Sequence, residues 1–167
     1  METIETITNR RSIRKYEADF KVSESDIKKI LEAGMYAPSA MHKEPWEFIV
    51  YTDNEKLKLI QENHPYASFL NDAGTGILVC LDVSQEYNGM GIVDVSVASQ
   101  NIMLMAHDMG YGTCFCGIYP DKCEKFNTLL NLPEHIVPIG LIALGKPLSS
   151  PHKPERYDET KVHFNNW

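Results

Sequence analysis

Arg10-Arg11-Ser12-Ile13-Arg14 places three guanidinium groups and a hydroxyl within five residues of a 167-residue chain whose formal net charge is -7. Guanidinium forks grip phosphate or carboxylate oxygens two at a time, so the cluster reads as a site for one strong anion. On a helix, residues four apart share a face, and Arg10 and Arg14 are then expected to hold one phosphate from adjacent angles. A solvated basic turn is the plainer alternative. The second stretch able to do chemistry is Ala37-Pro38-Ser39-Ala40-Met41-His42-Lys43-Glu44-Pro45-Trp46. Small residues at 37–40 admit a flat ring close to the backbone, Pro38 and Pro45 stiffen the loop, and Trp46 closes its floor. An ordinary Pro-bounded loop with Trp46 in the core fits the same residues. Ser39 and His42 stand three apart, but no acid is placed to orient the imidazole. A hydrolytic triad is therefore not expected, and no side chain is assigned as a catalytic nucleophile.

Other chemistries fall away on spacing. The four cysteines, at 80, 114, 116 and 123, follow C-x-C rather than paired C-x-x-C spacing and lack a well-placed histidine, so reduced core thiols are expected and a metal is not. Gly110-Tyr111-Gly112 begins a G-x-G, but Phe115 stands where the third glycine would, and the motif leaves a helix and enters a strand, the reverse of a dinucleotide fingerprint. No G-x-x-x-x-G-K-[ST] loop occurs either, so the anion is not cradled by glycines at a helix start. A pI near 5.3 argues against a nucleic-acid surface, which needs a broad basic stripe. Glu2 and Glu5 break the basic-then-apolar order of a secretory signal, and no apolar run reaches bilayer length. A cytoplasmic protein with neither nucleic-acid nor membrane partners is expected.

The elements that must position these residues form one domain over residues 1–167, since a chain of this size buries about two thirds of its unfolded surface. Ile4 and Ile7 mark a short helix within 2–11. Ser23 caps a second, whose stripe Ile27, Ile30, Leu31 ends near Gly34. Residues 47–52 read as a strand, and Asp53 then caps a polar helix to about Asn63. The apolar run 76–81 suits a central strand buried on both faces. The helix over 93–109 is apolar or small on nearly every side, so it is either the spine of the core or the floor of a dimer interface. A strand at 113–118, a helix from Pro120 to about Leu130 and a strand at 136–144 follow, with Pro138 hinting at an edge or a bulge. The tail from 145 to 167 is polar yet carries Phe164 and Trp167, which predicts that it lies on another surface, such as a partner subunit. The element order fits an α/β or α+β arrangement around four or five strands.

RRSIRKY near the N-terminus, PSAMHKEPWEF near residue 40, GYGTCFCG after the long helix, and a late strand ending in GKP together resemble the FMN-dependent nitroreductase family, in the same order and across most of the chain. The resemblance implies an α+β fold with a central mixed sheet of four to five strands flanked by helices, in an intertwined homodimer. It implies FMN as cofactor and NADH or NADPH as electron donor. Arg10, Arg11, Ser12 and Arg14 would hold the phosphate and ribityl region. Pro38, Ser39, Ala40, Met41 and His42 would line the flavin ring from the other subunit. Cys116 and Gly117, in the stretch from Cys114, would present backbone amides to the ring's reactive edge. Gly145 and Lys146 would make a second phosphate contact, assisted by Arg156. The implied activity passes hydride to a conjugated small-molecule acceptor such as a nitroaromatic or quinone. The alternatives are a flavin-binding or flavin-handling module with little turnover and a small-anion binder. His42 and Glu44 stand where many relatives carry Asn and Gln, and the stretch from Tyr66 to Asp94 leaves little room for the helices that cover the substrate face in larger members.

Overall fold

Helix α1 (Thr3–Asn9) stops one residue short of the arginine cluster, with Arg10 already in extended backbone. The computed structural model describes residues 2–149, 151–152 and 154–167; Met1, Ser150 and Lys153, the last two in the tail, lie outside the described residues. Instead of continuing the helix, Ser12 forms a parallel bridge to Thr113, and Ile13 N–H donates to Thr113 O at 2.8 Å. The expected shared helical face of Arg10 and Arg14 is therefore not formed. In its place, the alternation of an extended segment brings Arg10, Ser12 and Arg14 to bear together on Cys114.

Local signals set most of the remaining elements. Ser23 Oγ accepts the Asp26 N–H at 3.2 Å and starts α2 (Glu24–Met35). Strand β1 (Trp46–Tyr51) leads to Asp53, which caps α3 (Asn54–Asn63) by accepting the Lys56 N–H at 2.9 Å. A one-turn α4 (Leu70–Ala73) follows, ended by Gly74 at φ 76°. Strand β2 (Thr75–Asp82), helix α5 (Gly91–Asp108), strand β3 (Gly112–Gly117), helix α6 (Pro120–Leu130) and strand β4 (Ile136–Gly145) complete the order.

The sheet order is β1-β2-β4-β3, antiparallel at every ladder, so parallel pairing is confined to the Ser12–Thr113 bridge. Strand β2 is buried on both faces: Leu78 and Cys80 join the core under α3, α4 and α6, whereas Ile77, Val79 and Leu81 join the core under α2 and α5. Helices thus cover both sides. Between Val79↔Gly140 and Cys80↔Pro138 the register skips Ile139. Pro138 therefore marks a bulge and not an edge, because β4 lies inside the sheet and a bulge needs no ladder N–H from it. Helices α2 and α5 approach closely at Gly34, where a methyl group would lie 2.7 Å from Ile102 Cγ1. Helix α5 buries Val95, Ala98, Ile102 and Ala106 on that side, but Ile92, Val93 and Val97 in its first turns are exposed, as are Ile4 and Ile7 of α1. In the tail, Tyr157, Phe164 and Trp167 are exposed, with His163 and Trp167 stacked at 4.3 Å. Among the described residues no helix is long and apolar enough to cross a membrane.

Candidate functional site

Arg10, Arg11 and Arg156 gather beside the end of α1 and line a cavity of about 830 Å³ with Ile7, Thr8, Tyr157 and one carboxylate, Glu155. Arg11 Nε donates to His152 O at 3.2 Å and Nη1 to Arg10 O at 2.6 Å, while Nη2 is buried with no partner among the described residues. Burial, and then the charges of Arg11 and Arg156, lower the pKa of Arg10. Among the described residues none of these arginines, nor Arg14, forms an ion pair with a carboxylate. Like charges held together and partly desolvated favour an anion between them. Arg10 and Arg11 also line a smaller cavity of about 180 Å³ with His107 and Thr113. His107 Nε2 and Thr113 Oγ1 are buried there with no partner among the described residues. Burial, followed by the Arg10 charge, lowers the His107 pKa and keeps the imidazole neutral, able to donate or accept.

Strand β3 is the sheet edge, and only its first half is covered. Cys114 and Cys116 pair with β4, as does Ile118 through its N–H to Ile139 O at 3.0 Å. Alternation then turns Thr113, Phe115 and Gly117 backbone groups outward. Thr113 O is taken by Ile13, but among the described residues no backbone acceptor meets the Phe115 or Gly117 N–H. These amides open on a cavity of about 740 Å³ lined by Arg14, Tyr66, Phe69, Cys114, Cys116 and Tyr119. Arg14 thus lines this cavity, whereas Arg10 and Arg11 line the two described above. The Cys114 thiol is brought down to about 7, first by the adjoining Cys116 thiol and then, against the upward pull of burial, by the Arg14 charge, Ser12 and Arg10. The same contact, with burial, raises the Cys116 thiol, whose sulfur also lies 3.3 Å from Tyr66 O.

The loop from Pro38 to Glu44 sits at the other end of the molecule, on the first turns of α5. Met41, His42 and Glu44 hold left-handed backbone, at φ 52°, 57° and 50°, a strain that surrounding contacts must offset. Asp94, only 4% exposed, accepts the Ala40 N–H at 3.1 Å, and Ser39 Oγ accepts the Glu44 N–H at 3.0 Å. Glu44 Oε1 lies 3.4 Å from His42 Nε2. An acid is therefore near the imidazole, contrary to the sequence reading. The His42 backbone N–H donates to Ser39 O at 3.1 Å, but among the described residues no hydrogen bond joins the Ser39 hydroxyl to the His42 ring, so a nucleophile–base pair is still not formed.

The predicted residues consequently fall into separate places. Arg10, Arg11 and Arg156 meet; Ser12, Arg14, Cys116 and Gly117 meet along β3; Pro38 to His42 meet neither within one chain. Lys146 stands apart, its Nζ 2.9 Å from Glu17 Oε2 and 5.6 Å from the Phe20 ring centre. Gly145 is a packing position, since a methyl group there would overlap the Ala73 carbonyl. His107, Thr113 and Asp94 had no local signal: each matters through a buried atom left unpaired or a contact more than fifty residues away.

The nitroreductase family model matches residues 7–72 and 56–146. A protein of Methanothermobacter thermautotrophicus provisionally named NADH dehydrogenase/NAD(P)H nitroreductase is 43% identical over 170 residues, which span 100% of this chain and 88% of that protein. Among solved structures, the FMN-dependent nitroreductase of Clostridium difficile R20291 matches with a TM-score of 0.89 at 31% identity, over 98% of this chain and 99% of that one. The NADPH:FMN oxidoreductase of Vibrio harveyi, solved with NAD+, matches with a TM-score of 0.88 at 27% identity, over 99% of this chain and 77% of that one. Matched from Ile7 to Lys146 and paired along its whole length with such relatives, this chain belongs to the nitroreductase family.

Proposed function

We propose that this chain is a cytoplasmic, homodimeric FMN-dependent oxidoreductase that takes hydride from NADH or NADPH and passes it to a conjugated small-molecule acceptor such as a nitroaromatic or quinone. The observation that carries this reading is the buried Arg11 Nη2, without a partner among the described residues, within a cluster of three arginines, with His107 Nε2 and Thr113 Oγ1 likewise unpaired among those residues in the adjoining cavity. Such a donor set fits the phosphate end of FMN. Arg10, Arg11 and Arg156 would hold that phosphate, Ser12 the ribityl chain, and Arg14 with the outward amides of Phe115 and Gly117 the ring. Lys146, engaged by Glu17, supports the site only by fixing the chain after β4.

Bound there, FMN supplies the hydride chemistry, and the protein's share is orientation, charge and shielding. Arg14 places positive charge beside the cavity, which favours a ligand that gains negative charge. Tyr66, Phe69 and Tyr119 line the same cavity and would flank a flat ring held there. Pro38 to His42 lie far from their own arginines, and Ile92, Val93 and Val97 leave the first turns of α5 with an uncovered apolar face. A second copy seated on that face would cover it and bring its loop to the site, because monomers seldom expose such patches. The four free cysteines accord with a reducing compartment.

The test is the visible spectrum of the purified protein, with mass spectrometry of the ligand released on denaturation, before and after anaerobic NADH or NADPH. A flavin spectrum bleached by a donor and restored by an acceptor is expected. A colourless protein that cannot be reconstituted with FMN refutes the reading. Bound FMN that bleaches slowly with both donors selects the flavin-handling alternative.

A further inference from the structure

Cys114 and Cys116 contribute side chains that the flavin reading does not use. They stand two residues apart on one face of β3, 1% and 4% exposed, and both line the cavity of about 740 Å³ beside Arg14. Cys80 and Cys123 do not line it. Alternate residues of a strand lie about 6.5 Å apart with their Cα–Cβ bonds roughly parallel, whereas a disulfide brings the two Cβ atoms to about 3.5–4.5 Å. Closing this pair on itself would break the pairing of Cys114 with Ala143 and Cys116 with Leu141. An atom held by two sulfur bonds of about 2.3 Å each lengthens the bridge and leaves the strand intact.

The surroundings select which atom. Among the described residues no group of three or more His, Cys, Asp or Glu side chains could hold a metal ion, so four-coordinate zinc lacks its ligands. Arg14 and Arg10 act on Cys114 as positive charges, which opposes a dication. An uncharged electrophile that takes two soft donors and brings its own third group meets neither obstacle.

We propose that Cys114 and Cys116 form a two-sulfur site for trivalent metalloid hydroxides, with arsenous acid as the type ligand. In the reaction two S–H and two As–OH bonds break, two As–S bonds form, and two waters leave; arsenic stays trivalent and no electron is transferred. The third hydroxyl remains on arsenic, toward the cavity. The thiolate is the attacking form, and Arg14 favours it at Cys114.

The experiment uses the purified full chain as isolated, with phenylarsine oxide and arsenite as probes. One equivalent of phenylarsine oxide should give a single-adduct mass with loss of one water and remove two of the four titratable thiols. Ethanedithiol should reverse it, and the same concentration of mercaptoethanol thiol should not. Cys114→Ser and Cys116→Ser should each abolish the adduct, while Cys80→Ser and Cys123→Ser retain it. X-ray absorption at the arsenic edge on the arsenite-treated wild type should report two sulfur neighbours, whatever the folding of the variants. No adduct with either probe, an adduct that persists in Cys114→Ser, or three sulfur neighbours would overturn the proposal. Because the proposed flavin ring shares this cavity, the same readouts are taken on the full chain freed of FMN, and absence of the adduct there is the result that counts against the site.

Discussion

Replacing Arg11 with alanine tests the anion site at its most exacting point. The guanidinium has five N–H donors; Nε and Nη1 go to the His152 and Arg10 carbonyls at 3.2 and 2.6 Å, and Nη2 is buried with none. Hydrogen bonds to charged groups contribute about 1.5–3 kcal/mol, so Arg11→Ala should weaken FMN binding by about 10- to 150-fold. The ligand-free variant should suffer less. It loses two carbonyl contacts at about 1 kcal/mol each, but it also relieves the repulsion that lowers the Arg10 pKa. Titration of protein into FMN, followed by fluorescence quenching, gives the affinity, and melting with and without FMN gives both stabilities. The signature is a collapse of the FMN-induced rise in Tm with little change in the ligand-free Tm. Arg11→Lys, which keeps the charge but not the fork, should fall between. If Arg11→Ala binds FMN within threefold of wild type, the unpaired nitrogen has no part in holding the ligand.

Three further outcomes follow from the contacts. Folding depresses the Cys114 thiol from an ordinary 9.0 to about 7, so the native state binds fewer protons than the unfolded chain between these values. Its stabilising effect is fully present above pH 9 and lost as pH falls through 7, and Cys114→Ser should flatten urea midpoints measured across that window. Asp94→Ala removes the carboxylate that takes the Ala40 N–H; a cost of about 1–3 kcal/mol is expected, with amide hydrogen exchange at residues 40–42 accelerated about tenfold or more. Val93→Arg puts a charge on the uncovered face of α5; light scattering is expected to give a dimer for the wild type and a monomer for the variant, and a wild-type monomer would contradict the proposed interface.

The elements legible in the chain were those fixed by neighbours in sequence. Ser23 and Asp53 each sit three residues before the amide they cap, Pro120 opens its helix, and the apolar run that became β2 admits no exposed face. The conformation of Arg10 to Arg14 was not legible, because Thr113, a hundred residues on, pulls the segment into an extended bridge. Two positively charged side chains four apart look the same on a helix and along a strand until the pairing partner is known. The closeness of Glu44 to His42 depends on left-handed backbone at three non-glycine residues, which composition does not announce. Lys146 matched a motif and yet is held by Glu17, since a lysine's long stem lets a nearby carboxylate decide where its charge rests. His107 and Thr113 gain their interest only from lacking a partner, a property of the folded whole.

The bare amides of Phe115 and Gly117 have a consequence for handling the protein. An unpaired sheet margin is a template on which a foreign β-segment can dock. A flat ligand seated along that margin would act as a stopper, so preparations stripped of it should clump or exchange strands during storage, whereas saturated ones stay dispersed.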